Sequence, residues 1–445
     1  MHPFRSRPHR TLLALSFPVL LSLIAEPLTG LVDTAFVSRL GAESLAALGV
    51  GTMVLSGTLW IFNFLGIGTQ TEVAQLEGRG DVGRARQISG VAMLLGAVIG
   101  LVLIALGLLF AEPVSRAMGG RGTVLAAAMV YIRIRILAAP AVLVMVAAFG
   151  ALRGLQDMRT PLFVAVAVNV LNLALDPLLI FGWGPVPGMG VGGAALASSL
   201  SQLGGAVWAA VAVLRRLGVP QRLRREDASR LLRIGGDLFV RTGSLTLFLV
   251  LATREATRAG VTAGAAHQAV RQVWTFTALF LDAFAVSGQS LVGYFLGGED
   301  PAEVRRVARV VCLWSLAAGL LLTLAMLLGT GVAVALLVPA AAVPAFLPAW
   351  RLAALSQPLN ALTFATDGIH WGTGDFRYRR NAVATATVLA GIPVVLLNEA
   401  SASALTWIWA LTVAWITIRM LFGLVRVWPG VGEAPLGRAR QGVRA

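Results

Sequence analysis

Apolar runs long enough to cross a bilayer alternate with short polar segments along the whole chain. A spanning helix needs about 20 predominantly apolar residues, because each residue rises about 1.5 Å and the hydrocarbon is about 30 Å thick. Twelve runs meet that length, at approximately 11–37, 45–71, 87–110, 124–150, 160–182, 191–214, 231–253, 262–296, 307–337, 346–370, 381–398 and 403–427. The pattern predicts an all-α polytopic membrane protein of twelve transmembrane helices.

The longest polar stretch, Arg215 to Arg233, divides the runs into two six-helix lobes, 1–222 and 223–445. The halves repeat one another. At an offset of 219, Leu12, Thr34, Arg39, Gly41, Gln70, Gly78 and Asp81 meet Leu231, Thr253, Arg258, Gly260, Gln289, Gly297 and Asp300. At an offset of 218, Pro140, Gly154, Asp157 and Arg159 meet Pro358, Gly372, Asp375 and Arg377. Six helices per half give both halves the same orientation, so the repeat is parallel about an axis along the membrane normal. Such duplication is the architecture of alternating-access carriers, which hold substrate between the lobes near the midplane.

Composition agrees with the pattern. Of 445 residues, 57% are hydrophobic and 13% charged, and mean hydropathy is +0.80. These values exclude a soluble domain of this length. All 36 basic residues are arginine, and the formal charge of +15 would fit a nucleic-acid partner if it formed one face. Instead, with the N-terminus inside, inner segments together with the inner ends of the spans hold 25 arginines, outer loops five and span interiors six. That asymmetry reads as a topology signal and places both termini in the cytoplasm, with no nucleic-acid partner. The basic start before the first run resembles a secretory signal, but the run is too long and carries Asp33, so it is read as the first span. The single cysteine, Cys312, permits no internal disulfide.

Candidate chemistry sits inside the spans. The first run, TLLALSFPVLLSLIAEPLTGLVDTAFV, holds Glu26 and Asp33, seven residues apart on one face. A carboxylate in hydrocarbon costs at least about 2.5–3.5 kcal/mol, so both are expected to face the bundle or a wet cavity. Pro18 and Pro27 lie in the same run and make it a helix that can bend. In the fifth span, Asn169, Asn172 and Asp176 form one stripe. Asp33 and Asp176 are expected at similar depth in the outer half of the membrane. Asp33, Asp176, Asn172, Asn169 and Glu26 are therefore the candidate proton-coupling and substrate-binding residues, with Pro18 and Pro27 as bending points. Asp282, mid-span in the eighth run, is a candidate for a second-lobe cavity.

Other polar positions have simpler readings. Asp237 and Arg241, four residues apart, are expected to pair locally. Asp367, His370 and His267 lie near span ends, where snorkelling to water is cheap. Arg133 and Arg135 point to different faces, so at most one is expected to reach a cavity. Gln70 and Gln289 are expected to pack. No metal-ligand cluster, P-loop or nucleophile elbow occurs, so neither an enzyme nor a metal site is expected. With no ATPase module, energy is expected from an ion gradient and not from a cofactor.

Several stretches carry a family resemblance. PLTGLVDTAFVSRLGAESLAALGVG in the first helix and its exit loop, ALRGLQDMRTPL before the fifth, and NVLNLALDPLLIFG with GMGVGGAALASSLSQ after it resemble the multidrug and toxic compound extrusion (MATE) family, nearest its DinF-like branch. The resemblance implies two pseudo-symmetric lobes forming a V. It also implies export of small, mostly cationic amphipathic compounds in exchange for protons or sodium. The family's essential first-helix aspartate matches Asp33, its fifth-helix Asn/Asp pair matches Asn172 and Asp176, and protonation of the former is implied to bend the helix at Pro18 or Pro27. Ala252 stands at the repeat position of Asp33, so the second lobe lacks a matching carboxylate. The expectation is a multi-pass antiporter of the cytoplasmic (inner) membrane, acting as a monomer in the lipid bilayer. The alternative is a lipid-linked oligosaccharide flippase of the wider superfamily, which would use arginines such as Arg271, Arg133 or Arg351. Twelve spans and first-lobe carboxylates disfavour it.

Overall fold

Helix occupies each of the twelve apolar runs in the computed structural model, which describes residues 2–398, 401, 403–432 and 434–438 without the side chains of positions 26, 56–58 and 60. A single turn, α1 (Pro3–Ser6), leads into α2 (Pro8–Val37). The second run is broken by a 3-10 turn into α3 (Ala42–Trp60) and α4 (Phe64–Gly78). The third is α5 (Val82–Ala117), and the fourth splits into α6 (Gly122–Ile136) and α7 (Ala139–Gly154), which bend by 49°. A short hairpin, β1 (Gly182–Trp183) with β2 (Val186–Pro187), joins α8 (Arg159–Phe181) to α9 (Val191–Leu217). Next come α10 (Arg225–Arg258), α11 (Val261–Gly297), α12 (Pro301–Leu328) and α13 (Thr330–Leu337). The last are α14 (Val343–Leu355), α15 (Gln357–Thr373), α16 (Phe376–Val395), α17 (Ala404–Val427) and a short α18 (Pro435–Arg438). Among the described residues, eight helices are long and apolar enough to cross a membrane, or nine if the bent pair is counted as one span.

The described chain forms two compact units, Phe17–Gly235 and Met1–Ser16 together with Gly236–Ala445. The division falls inside α2 and α10, and both helices continue unbroken through it. The chain start packs with the later unit: Phe4 and Leu12 share a buried cluster with Leu291, Phe295, Val304 and Val307. Arg5 pairs there with Asp300 at 2.6 Å.

Each unit repeats the same helix packing for a local reason. Pro140 and Pro358 each stand in the first turn of a helix, α7 and α15, where a missing N–H costs nothing but the preceding helix cannot continue. Both breaks are matched by a glycine on the facing helix. A Cβ on Gly100 would lie 2.3 Å from the Pro140 Cα, and one on Gly319 would lie 2.9 Å from the Pro358 Cα. Further along, a Cβ on Gly150 would meet the Gly66 carbonyl oxygen at 2.3 Å, and one on Gly368 the Ala285 carbonyl oxygen at 2.2 Å. Small residues let membrane helices approach closely and gain dispersion contacts. Gln70 and Gln289 sit at these seams, their carbonyl oxygens facing Gly154 and Gly372, in keeping with a packing role.

Candidate functional site

Within the unit Phe17–Gly235, α2, α8 and α9 gather four polar side chains. Asp33 of α2, Asn172 and Asp176 of α8, and Ser198 of α9 are each at most 5% exposed. Ser198 Oγ donates to Asp33 Oδ2 at 3.0 Å. Asn172 Nδ2 lies 3.4 Å from both Asp176 Oδ1 and Ser198 Oγ, so it bridges the carboxyl to the hydroxyl. The Asp33 and Asp176 carboxyls are neighbours within reach of each other. Three acceptors in the group, Asp33 Oδ1, Asp176 Oδ2 and Asn172 Oδ1, are buried with no donor among the described residues. Buried polar atoms are normally satisfied, so this group holds more acceptors than donors.

Local sequence builds the site. Asn172 and Asp176 share a face of α8 because they are four residues apart. Ser198 reaches them because α9 approaches α8 very closely: a Cβ on Gly193 would lie 2.2 Å from the Leu179 carbonyl oxygen. One turn away, Thr29 Oγ1 donates to Asn169 Oδ1 at 2.6 Å, while Asn169 Nδ2 donates to the Ala165 carbonyl at 2.9 Å. Asn169 is thus satisfied and fastens α8 to α2 without joining the cluster. Pro18 is buried and Pro27 exposed, both inside α2. The Glu26 side chain lies outside the described residues.

Ser198 is the one member of the four that sequence reading did not assign, and a cation, Arg135, lies within electrostatic range of Asp33. Arg135 of α6 is half-buried, interacts with the Tyr131 hydroxyl and is close enough for its charge to act on Asp33; Arg133 is exposed. Ser198 had a signal in the small-residue run Gly192 to Ser199, which predicts close helix approach.

The unit containing Gly236–Ala445 fills the equivalent place with hydrocarbon. The repeat positions of Asp33, Asn172, Asp176 and Ser198 are Ala252, Ala390, Val394 and Ile416, all in one buried apolar cluster. Asp282 is half-buried on α11 and engaged by a neighbour.

Three expectations are corrected in that unit. Asp237 and Arg241 do not pair with each other: Asp237 takes Arg380 at 2.7 Å and Arg241 takes Asp367 at 2.5 Å. An i,i+4 pair is worth only about 0.5 kcal/mol, far less than leaving the buried Asp367 without cations. Asp367 and His370 do not snorkel, being 1% and 2% exposed. They stay inside because Asp367 meets arginines there and His370 Nε2 lies 3.2 Å from the Gly423 carbonyl. His267 is also buried, its Nε2 3.2 Å from Thr253 Oγ1 and its ring beside Trp409.

Known proteins resemble the whole chain. The MatE family model matches residues 18–178 and 244–397. Protein DETOXIFICATION 44, chloroplastic, of Arabidopsis thaliana is 30% identical over 449 residues, covering 95% of this chain and 82% of the relative. DNA damage-inducible protein F of Escherichia coli (strain K12) is 27% identical, covering 96% and 93%. The structure of the Vibrio cholerae MATE transporter VcmN in its bent form matches with a TM-score of 0.88 at 20% identity over 99% of each chain, a likeness of fold. Two repeated helical units, a buried carboxylate cluster in one of them, and a family match over most of the chain lead to one conclusion: the chain belongs to the MATE family of multidrug and detoxification transporters, multi-pass membrane proteins that are not enzymes, and is a homologue of DinF.

Proposed function

We propose that this protein is a secondary active antiporter that exports amphipathic organic cations in exchange for protons, by alternating access. The observation that carries the proposal is the set of three donorless acceptors, Asp33 Oδ1, Asp176 Oδ2 and Asn172 Oδ1. A proton placed on one carboxyl turns an acceptor into a donor and can serve the carboxyl beside it. A cationic substrate serves the same oxygens from outside. One cluster that takes either occupant couples their movements, because binding of each excludes the other. Arg135 adds a fixed positive charge that keeps the cluster from holding both at once.

The prolines of α2 supply the bend. Pro18 and Pro27 lack the N–H groups that would bond the carbonyls of Ala14 and Leu23, so α2 is weakest on either side of Ser22. A change of hydrogen bonding at Asp33 then alters the helix that carries it. In this scheme the cytoplasmic (inner) membrane holds a monomer with both termini inside, and the ion gradient is the energy source, with no cofactor. The arginines that a flippase would use do not favour that reading: Arg133 and Arg351 are exposed, and Arg271 donates to Thr253 Oγ1 at 3.0 Å.

The test is uptake of a fluorescent lipophilic cation into everted membrane vesicles, whose outer face is the cytoplasmic one. A pH gradient is imposed with sodium absent, then a sodium gradient with pH equal on both sides. Transport driven by the pH gradient is expected. Transport driven by sodium alone would assign the cluster to sodium, and transport driven by neither would end the antiport reading.

A further inference from the structure

Four helices of the unit Gly236–Ala445 bring charges together at one buried point. Asp367 of α15 accepts from Arg379 Nε of α16, from Arg241 Nη2 of α10 at 2.5 Å and from Arg419 Nη2 of α17 at 3.3 Å. Arg241, the least buried, has a side chain only 11% exposed. Nearby acids are already committed: Asp375 binds Arg426 at 2.7 Å, and Asp237 binds Arg380 at 2.7 Å. His370 lies alongside, its Nδ1 3.8 Å from Asp375. Guanidinium stays protonated in proteins, so among the described residues one carboxylate faces three fixed cations.

Dipoles and aromatic faces offset part of this charge. Arg379 donates to the Arg419 carbonyl at 2.8 Å and to the Thr363 carbonyl at 3.4 Å. Arg241 lies over Trp371 at 5.1 Å and Arg419 over Trp415 at 4.4 Å. None of these partners carries a negative charge, and an uncompensated charge in a low-dielectric interior is strongly unfavourable. Two guanidinium donors, Arg241 Nε and Arg419 Nε, are also buried with no acceptor.

We propose that a single monovalent halide, chloride in the cell, binds among Arg241, Arg379 and Arg419 and accepts from the free Nε groups. The two free donors are single N–H groups, which suit a monatomic acceptor better than a polyatomic oxyanion. On the Arg379 side the packing is close: a Cβ on Gly423 would lie 2.4 Å from Thr366 Oγ1 and 3.2 Å from Arg379 Nη1. The bound anion ties α10, α15, α16 and α17 into one group, a role separate from exchange at Asp33.

The test uses the purified full-length protein in detergent, with chloride replaced by gluconate at constant ionic strength. The thermal midpoint, followed by tryptophan fluorescence because Trp371 and Trp415 lie on the guanidiniums, is expected to rise saturably by a few degrees with chloride. Arg241→Gln should lose that rise. In crystals of the wild-type protein grown in bromide, an anomalous peak is expected within hydrogen-bonding distance of Arg241 and Arg419, a readout that needs no variant. Equal midpoints in chloride and gluconate, the same rise with sulfate, an unchanged rise in Arg241→Gln, or no bromide peak at the cluster would each overturn the proposal.

Discussion

Gly193→Ala separates the close approach of two helices from the chemistry it serves. The added methyl would lie 2.2 Å from the Leu179 carbonyl oxygen and 2.4 Å from its carbon, where ordinary contact begins at 3.4 Å. Both offending atoms are backbone, so no side chain can rotate away and α9 must retreat from α8 by about 1 Å. Ser198 lies five residues further, about 7.5 Å along the same helix axis. Ser198 moves with α9, so its 3.0 Å bond to Asp33 of α2 would lengthen by up to about 1 Å, to the edge of hydrogen-bonding range or beyond. A bond from a neutral donor to a charged group contributes about 1.5–3 kcal/mol, a factor of about 10–100 in an equilibrium. The assay is pH-gradient-driven uptake of a lipophilic cation into everted vesicles, normalised to the amount of protein in the membrane. A 10- to 100-fold loss is expected by this reasoning. Ser198→Ala should lose a similar amount without touching the helix contact. Gly49→Ala, where an added Cβ meets nothing within 4 Å, should stay near wild type. Wild-type transport by both Gly193→Ala and Ser198→Ala would show that the Ser198–Asp33 bond is idle.

The other predictions bear on coupling, bending and topology. Asp33→Asn and Asp176→Asn should each abolish gradient-driven exchange, and residual cation binding should lose its pH dependence, because linkage needs a titrating group. Asp282→Asn should reduce binding at most; lost coupling there with full coupling in Asp33→Asn would move the proton site to the other unit. Pro18→Ala or Pro27→Ala should slow transport several-fold while substrate binding stays near normal, since each restores a helix hydrogen bond; unaltered rates in both would remove the bend from the mechanism. On a Cys312-free background, cysteines introduced near Arg224 should label only from the cytoplasm and those near Gly188 only from outside. External labelling near Arg224 would reverse the topology.

Sequence alone determined the apolar runs, the duplication and three of the four residues of the candidate site. Hydropathy is a one-dimensional signal, because every spanning segment must satisfy its own backbone and meet lipid along its length. The repeat was legible at Pro140 and Pro358, or Gly154 and Gly372, because backbone proximity leaves few residues that fit. Asp33 stood out because a carboxylate inside hydrocarbon is expensive, and Asn172 and Asp176 joined it through helical spacing. Tertiary structure decided everything that depends on which helices touch. Ser198 and Arg135 come to Asp33 from α9 and α6, at separations in sequence that follow no period. The same holds for Asp367, whose three arginines arrive from α10, α16 and α17. There a weak local pairing of Asp237 with Arg241 gave way, because a buried carboxylate draws cations from any helix within reach and the burial that makes it do so exists only in the packed bundle.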